Sequence, residues 1–374
     1  MAKKEVVVTG LGLISALGSL TTTWQRLLAG ESALKLQQPF PEISPYPLGL
    51  IHETPGQVIT LTKLIVDTAL EDAKLVPPLP DFGVVIGSSR GCQGIWEELI
   101  RNRPRDLSNW IDTLPHQAAI ATAMKIGSQA QVLAPMAACA TGIWAIARGW
   151  ELLQTGECQR VIAGAVEAPI TPLTLAGFAK MGALAKTGCY PFDCRREGLV
   201  LGEGGAALVL ETRELAEARE AKIYGKILGF GLTADGYHVS APNPYGGGGI
   251  SAIKQCLRQS NLSPKDIDYI HAHGTSTQLN DQNEAKLIGK IFSQRVAVSS
   301  TKGATGHTLG ASGAIGVALS LLTLQQQILP PCVGLKESEF PLNLATQPQL
   351  GNFNNSLCFS FGFGGQNAVL ALGK

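Results

Sequence analysis

Two stretches of this chain repeat one pattern. Residues 296–306 lead into 307–324 as residues 131–138 lead into 139–153. In each, an apolar strand-like run passes through a loop of small residues into a Gly/Ala-rich segment with helical spacing. Helices this poor in charge have little polar face to offer water. Packing the two face to face between sheets accounts for their composition and demands a fold of two similar, layered halves. It also brings Cys139 and His307, which open the two segments, to one place.

The rest of the chain fits that plan. In the first half, residues 5–9, 83–86, 131–136, 160–165 and 206–211 read as strands, and 22–28, 61–73, 93–101, 117–125 and 139–153 as helices. A charged segment, 212–222, precedes the second half. There 223–232, 269–272 and 296–298 read as strands, 250–259, 280–292 and 307–324 as helices, and 357–361 with 368–372 as a closing hairpin. Ser263 and Pro264 have the chemistry of a cap and first residue of a short helix. Such alternation predicts an α/β fold with mainly parallel pairing, divided into halves 1–216 and 217–374.

Composition narrows the function. Charged residues make up 16% of the chain, against ~25% in ordinary soluble domains, so much of the surface must be buried in a core or an interface. A net charge of +1 with no basic cluster argues against a nucleic-acid or membrane-binding face. The longest apolar runs, 132–147 and 310–324, are short for a bilayer span. Residues 1–4 lead straight into a strand, without a secretory pattern. The eight cysteines are scattered. Cys189 and Cys194 lie five apart, with no second pair at zinc spacing. The expectation is a cytoplasmic protein with reduced thiols. Gly10 and Gly12 lack the third glycine and later acid of a dinucleotide loop.

Four residues carry candidate chemistry. Cys139 stands at the expected start of a helix, whose dipole favours thiolate, and Ala138, Ala140 and Gly142 leave its sulfur uncrowded. His273 closes a strand before Gly274-Thr275-Ser276, a place where side chains are displayed. His307 follows a small-residue loop containing Lys302, which lies in an almost chargeless stretch. Each has an ordinary reading: a buried thiol, a core imidazole, a solvated lysine. Asp281 and Glu284 read either as a capping box before an apolar run or, for Glu284, as the carboxylate a buried Lys302 needs. Taken together, one thiol, two imidazoles and a lysine suit acyl transfer. A thiolate attacks a thioester, and two neutral imidazoles stabilise an enolate.

At this point the chain resembles the β-ketoacyl-[acyl-carrier-protein] synthases of the elongating type, which share a thiolase fold and a Cys–His–His triad. The matching segments run in order from first strand to last. They are Val7-Val8-Thr9-Gly10-Leu11-Gly12, Ala138-Cys139-Ala140-Thr141-Gly142, Pro191-Phe192-Asp193 with Gly202-Glu203-Gly204, Ala272 to Thr277 with Asp281 and Glu284, Ser299 to Lys302 with Gly306-His307, and Gly362-Phe363-Gly364-Gly365. The resemblance implies two βαβαβαββ halves in α-β-α-β-α layers. It implies Cys139 as acyl acceptor, His273 and His307 as the pair assisting malonyl decarboxylation, and Lys302 as a buried organiser with Glu284 as its ion partner. Phe363 resembles a gate in the loop bearing Gly362 and Gly364, its N–H forming an oxyanion hole with that of Cys139. Thr275 and Thr277 match threonines that hold the phosphopantetheine arm, and Phe178 a residue near the acyl pocket. The implied enzyme is an acyltransferase, a homodimer partnered by acyl carrier protein. It uses no metal and no cofactor of its own, because phosphopantetheine arrives on the carrier.

The chain also departs from the family's pattern. It is shorter, with losses before residue 61, in 101–118 and between 184 and 191. Pro55-Gly56-Gln57-Val58 stands where a basic docking patch is usual, Gly182 where Arg is common, His271 where many members have Asn near a cation site, and Gln366 where Thr is commoner. The carrier-docking surface and the chain-length preference therefore do not transfer. A ketosynthase of a polyketide or glycolipid pathway is the nearest alternative. A non-catalytic chain-length-factor-like partner is disfavoured because Cys139, His273 and His307 are all present. A thiolase is disfavoured because Gly362 to Gly365 stand where its second cysteine would be.

Overall fold

In the computed structural model the described residues are 4–102, 108 and 110–374. The first half contains strand β1 (Val6–Ser15), helices α1 (Leu20–Leu28) and α2 (Val58–Asp72), β2 (Phe82–Gly87), α3 (Gln93–Asn102), α4 (Gln117–Ile126), β3 (Val132–Leu133), α5 (Thr141–Thr155), β4 (Arg160–Glu167), α6 (Pro172–Lys180) and β5 (Gly204–Thr212). A short helix, α7 (Arg213–Ala218), occupies the charged segment. The second half continues with β6 (Gly225–Ala234), α8 (Gly247–Ser260), β7 (Tyr269–His271), α9 (Gln278–Ile291), β8 (Ala297–Ser299), α10 (Lys302–Thr305), α11 (Ser312–Gln326), β9 (Asn355–Gly362) and β10 (Gln366–Gly373).

Strand order exposes the repeat. The first half pairs as β3-β2-β4-β5-β1 and the second as β8-β7-β9-β10-β6. The two orders correspond strand for strand, with β1 and β6 meeting antiparallel over three residues, Val6 to Val8 opposite Ile227 to Gly225. In each half the outer three strands pair in parallel, and the two nearer the junction of the halves pair antiparallel. The expectation of mainly parallel pairing is therefore corrected to a mixed sheet. β4–β5 and β9–β10 are direct antiparallel neighbours, and periodicity alone does not reveal direction.

Helices α2 and α4 cover one outer face, α8 the other, and α5 and α11 lie against each other between the two halves. The expected α-β-α-β-α layering is observed. The central layer is the largest apolar cluster, built from Ile143, Ile146, Ala314, Ala318 and Leu321 with inward residues of both halves. α11 is buried along its whole length to Leu324. It belongs to the described helix, Leu309–Gln326, that is long and apolar enough to span a bilayer, yet 89% of that window is packed inside the protein. Gly142 is what lets α5 and α11 touch: a Cβ there would sit 2.5 Å from the Ala314 amide nitrogen. Gly10 and Gly12 serve packing too, since a Cβ on either would meet backbone oxygens of α2 at 2.4 and 1.8 Å.

The second-half helix begins later than expected. Gly306 (φ +76°) and Leu309 (φ +41°) take left-handed backbone, so His307 sits on an extended link before α11 rather than in it. The first-half helix starts at Thr141 with Ala140 as its cap, which leaves Cys139 just outside. The expected short helix at 264 is present, with Ser263 and Asp266 forming a capping box. Part of the 101–118 segment, residues 103–107 and 109, and residues 1–3 of the amino-terminal reading lie outside the described residues.

Candidate active site

The two halves deliver three side chains to one cavity. Cys139 follows Ala138, whose left-handed φ of +48° turns the chain sharply between β3 and α5. His273 leaves the carboxyl end of β7, and His307 precedes α11. Cys139 Sγ and a ring nitrogen from each histidine all lie within 4.8 Å of one another, and all three residues are buried. The imidazole rings stand edge to face, centroids 5.2 Å apart. A cavity of about 310 Å³ reaches them, lined also by Phe178, Met181, Thr275, Thr277, Phe361, Gly362 and Phe363.

Burial sets the protonation states. It pushes the Cys139 thiol up to about 11, against the downward pull of Lys302 and Arg90. A helix start would shift the thiol the other way, but the sulfur is withdrawn from water and precedes the helix rather than lying in its first turn. The thiol rests protonated at neutral pH, with uncharged imidazoles beside it. Burial and then the Lys302 charge hold both His273 and His307 well below 6.5.

Hydrogen bonds orient the imidazoles. Lys302 Nζ donates to the His273 carbonyl oxygen and lies 3.4 Å from His273 Nδ1. An ammonium only donates, so Nδ1 accepts and the proton of the neutral ring sits on Nε2. His307 Nδ1 lies 2.9 Å from the Ser312 hydroxyl, which Thr308 contacts at 3.0 Å. Ser312 was not foreseen, since a serine five residues beyond His307 carries no distinguishing pattern.

Glu284 does not bond Lys302 as expected. Its carboxylate accepts the amide protons of His273 and Gly274 at 2.6 and 2.7 Å and reaches Lys302 only through its charge. Asp281 likewise accepts from the amides of Phe192 (2.8 Å) and Ser276 (3.2 Å). Burial raises these acids to about 7 and about 6 respectively. They are not the capping box of α9. That helix is capped by Thr277, whose hydroxyl accepts from the Asn280 amide at 3.3 Å. The two acids instead brace the 273–276 loop from inside the helix. Thr275 and Thr277 contact each other at 2.9 Å on the cavity wall.

The glycine-rich loop closes over the sulfur. The Phe363 N–H is directed at Cys139 Sγ, and the Phe363 ring packs 5.9 Å from that of Phe178. A Cβ on Gly362 would come within 3.0 Å of the Cys139 nitrogen, and Gly364 takes a φ of +76°, so both positions need glycine. Ser360, also unforeseen, donates to the Cys139 carbonyl at 2.8 Å. His271 is core rather than site: its Nε2 lies 3.2 Å from Thr301 Oγ1, and its ring is wedged beside Gly316.

The beta-ketoacyl synthase N-terminal domain matches residues 52–216, and its C-terminal domain residues 224–336. The chain belongs to the β-ketoacyl synthase family. It is 34% identical to the 3-oxoacyl-[acyl-carrier-protein] synthase 2 of Coxiella burnetii across all of this chain and 99% of that one. It matches that of Staphylococcus aureus equally, over 99% and 98%. Among solved structures, a type II polyketide acyl carrier protein in complex with its ketosynthase bound to a hexaketide superposes with a TM-score of 0.93. Its identity is 26%, covering 99% of both chains. The ishigamide ketosynthase/chain length factor gives 0.92 at 26% over both full lengths. The chain is thus an enzyme of the condensing, acyl-transferring class.

Proposed function

We propose that this protein is a β-ketoacyl-acyl-carrier-protein synthase that extends an acyl chain, as in fatty acid elongation, through a thioester on Cys139. The observation that carries this reading is the approach of Cys139, His273 and His307 to within 4.8 Å at the end of a cavity.

The chemistry follows from the protonation states. The acyl group passes from the carrier's phosphopantetheine sulfur to Cys139. The Cys139 proton moves by way of a neutral imidazole to the departing thiolate. Malonyl-carrier protein then enters, its arm held by Thr275 and Thr277. Loss of CO2 leaves an enolate whose oxygen accepts the Nε2 protons of His273 and His307. The enolate carbon attacks the Cys139 thioester, and the amides of Cys139 and Phe363 take the developing oxyanion. Collapse of the intermediate breaks the C–S bond, leaves the β-ketoacyl group on the carrier and frees Cys139 as a thiolate, which takes a proton from water to regain its resting thiol. Lys302, braced by the loop that Glu284 and Asp281 hold, keeps His273 in the donor tautomer. Asp281, Glu284 and Lys302 are positioning residues; Phe178 and Phe363 shape the acyl path. No resident cofactor or metal has a step in this sequence.

The partners are acyl- and malonyl-loaded carrier protein and a second copy of the chain. For the second copy, α3 offers no buried residue, and Trp96, Ile100, Trp110 and Ile111 are 40–72% exposed nearby. A monomer rarely leaves such a group in water. Eight free cysteines suit a cytoplasmic location.

The test is intact-protein mass spectrometry after incubation with acyl-carrier protein. Wild type should gain one acyl mass on Cys139, and C139A none. C139Q should lose transfer but still release CO2 from malonyl-carrier protein. Equal labelling of wild type and C139A would end the proposal.

A further inference from the structure

One charged side chain near the thiol has no role in the chemistry above. Arg90 lies in the loop between β2 and α3, and that loop is firmly held. The buried Glu167 carboxylate accepts from the Ser88 hydroxyl at 2.9 Å and from the amides of Ser89 and Arg90. Gly91, at φ +54°, donates its amide to Ser88 Oγ at 2.8 Å. The backbone is thereby fixed so that the Arg90 guanidinium carbon sits 5.8 Å from the Phe178 ring centroid. Phe178 in turn packs on Phe363, so gate, ring and guanidinium form a row beginning at Cys139. Arg90 is close enough for its charge to act on the Cys139 sulfur.

The row leads somewhere. Cys139, Phe178 and Ile170 share one apolar cluster, with Phe40 packed against it. Ile170 and Phe40 also line a second cavity of about 440 Å³, whose lining includes Gly91 and Cys92, directly after Arg90. Arg90 thus connects Phe178, which lines the catalytic cavity and carries its guanidinium, to Gly91, which lines the second one. Among the described residues its guanidinium has neither an ion pair nor a side-chain hydrogen bond. It is half-buried, held only by the face of Phe178. A guanidinium presents a rigid fork of donors that fits oxygen acceptors. A plain methylene chain passing it would strip water from a charge and give nothing back.

We infer that Arg90 is a specificity-determining residue that selects acyl groups bearing an oxygen acceptor, a carboxylate or a keto oxygen, where the chain passes Phe178. The inference rests on Cys139 being the acyl acceptor. Elongation chemistry acts only at the thioester and is indifferent to this group, so the selection is separate from catalysis.

The experiment compares three acyl-carrier proteins of equal chain length: hexanoyl, 5-oxohexanoyl and the half-thioester of adipate. Loading rates onto Cys139 are read by intact mass for wild type, R90L and R90K, with thermal unfolding as the check on folding. Wild type should load at least one oxygen-bearing group about tenfold faster than hexanoyl, the scale of one charge-assisted hydrogen bond at a half-exposed site. Which of the two is faster identifies the oxygen. R90L should reduce that ratio to about one, mainly by faster hexanoyl loading, and R90K should retain part of a carboxylate preference. Hexanoyl loading as fast as both others in wild type, or a preference that survives R90L, overturns the inference. If no acyl group reaches Cys139 at all, the nucleophile assignment fails instead.

Discussion

Replacing Gly142 with alanine tests whether the architecture sets the catalytic geometry. The added Cβ would lie 2.5 Å from the Ala314 amide nitrogen and 3.1 Å from both Ala314 Cβ and the Gly310 carbonyl oxygen. Ordinary contact begins at 3.4 Å. All three atoms belong to the backbone or to a Cβ, so no side chain can rotate away, and α5 and α11 must part by about 1 Å. Cys139 precedes α5 and His307 precedes α11, so the shift separates the thiol from an imidazole by a similar amount. Misplacement of that size costs on the order of 100-fold in rate. The overpacking itself costs about 1–3 kcal/mol, a small change in melting temperature for a chain this long. The assay is single-turnover acyl loading of Cys139 with thermal unfolding of the same sample. A large rate loss with a modest melting shift is expected. Near-wild-type loading would show that the spacing of α5 and α11 does not fix the site.

Three further outcomes follow from the buried charges. Lys302→Met should slow malonyl decarboxylation by at least tenfold, because His273 loses the group that fixes its tautomer. Its effect on stability should stay modest, since Glu284, raised to about 7, can be neutral without it; unchanged decarboxylation would refute the role. Stability should vary little between pH 5 and 6.5 and then fall below about pH 4, as read from urea midpoints. The imidazoles of His271, His273 and His307 are depressed, so their contribution declines as pH drops below 6.5. The raised carboxyls of Glu167, Glu203, Glu284 and Asp281 contribute in the opposite direction until each reaches its unfolded value near 4. A steep loss already at pH 6 would contradict this balance. Finally, a thiol and two imidazoles are donors that zinc accepts, so chelation is a fair check on the mechanism. Condensation should be unaffected by EDTA, and loss restored by zinc would put an ion in the triad's reaction.

The sequence alone determined the repeat, most strand and helix positions, and the three residues, Cys139, His273 and His307, that the fold brings together. These depend on local period, on Gly and Ala content and on motifs that survive in one dimension. Only the tertiary structure decided pairing direction, which comes from how distant strands meet. It reassigned Gly142 from relieving the sulfur to admitting a neighbouring helix, and Glu284 from salt-bridge partner to a brace for two amides. It reversed the expected shift of the Cys139 thiol, because desolvation depends on what the rest of the chain places around the sulfur. Ser312, Ser360 and Arg90 came to notice for the same reason. A serine or arginine in a loop has no signature until the fold shows which group it faces.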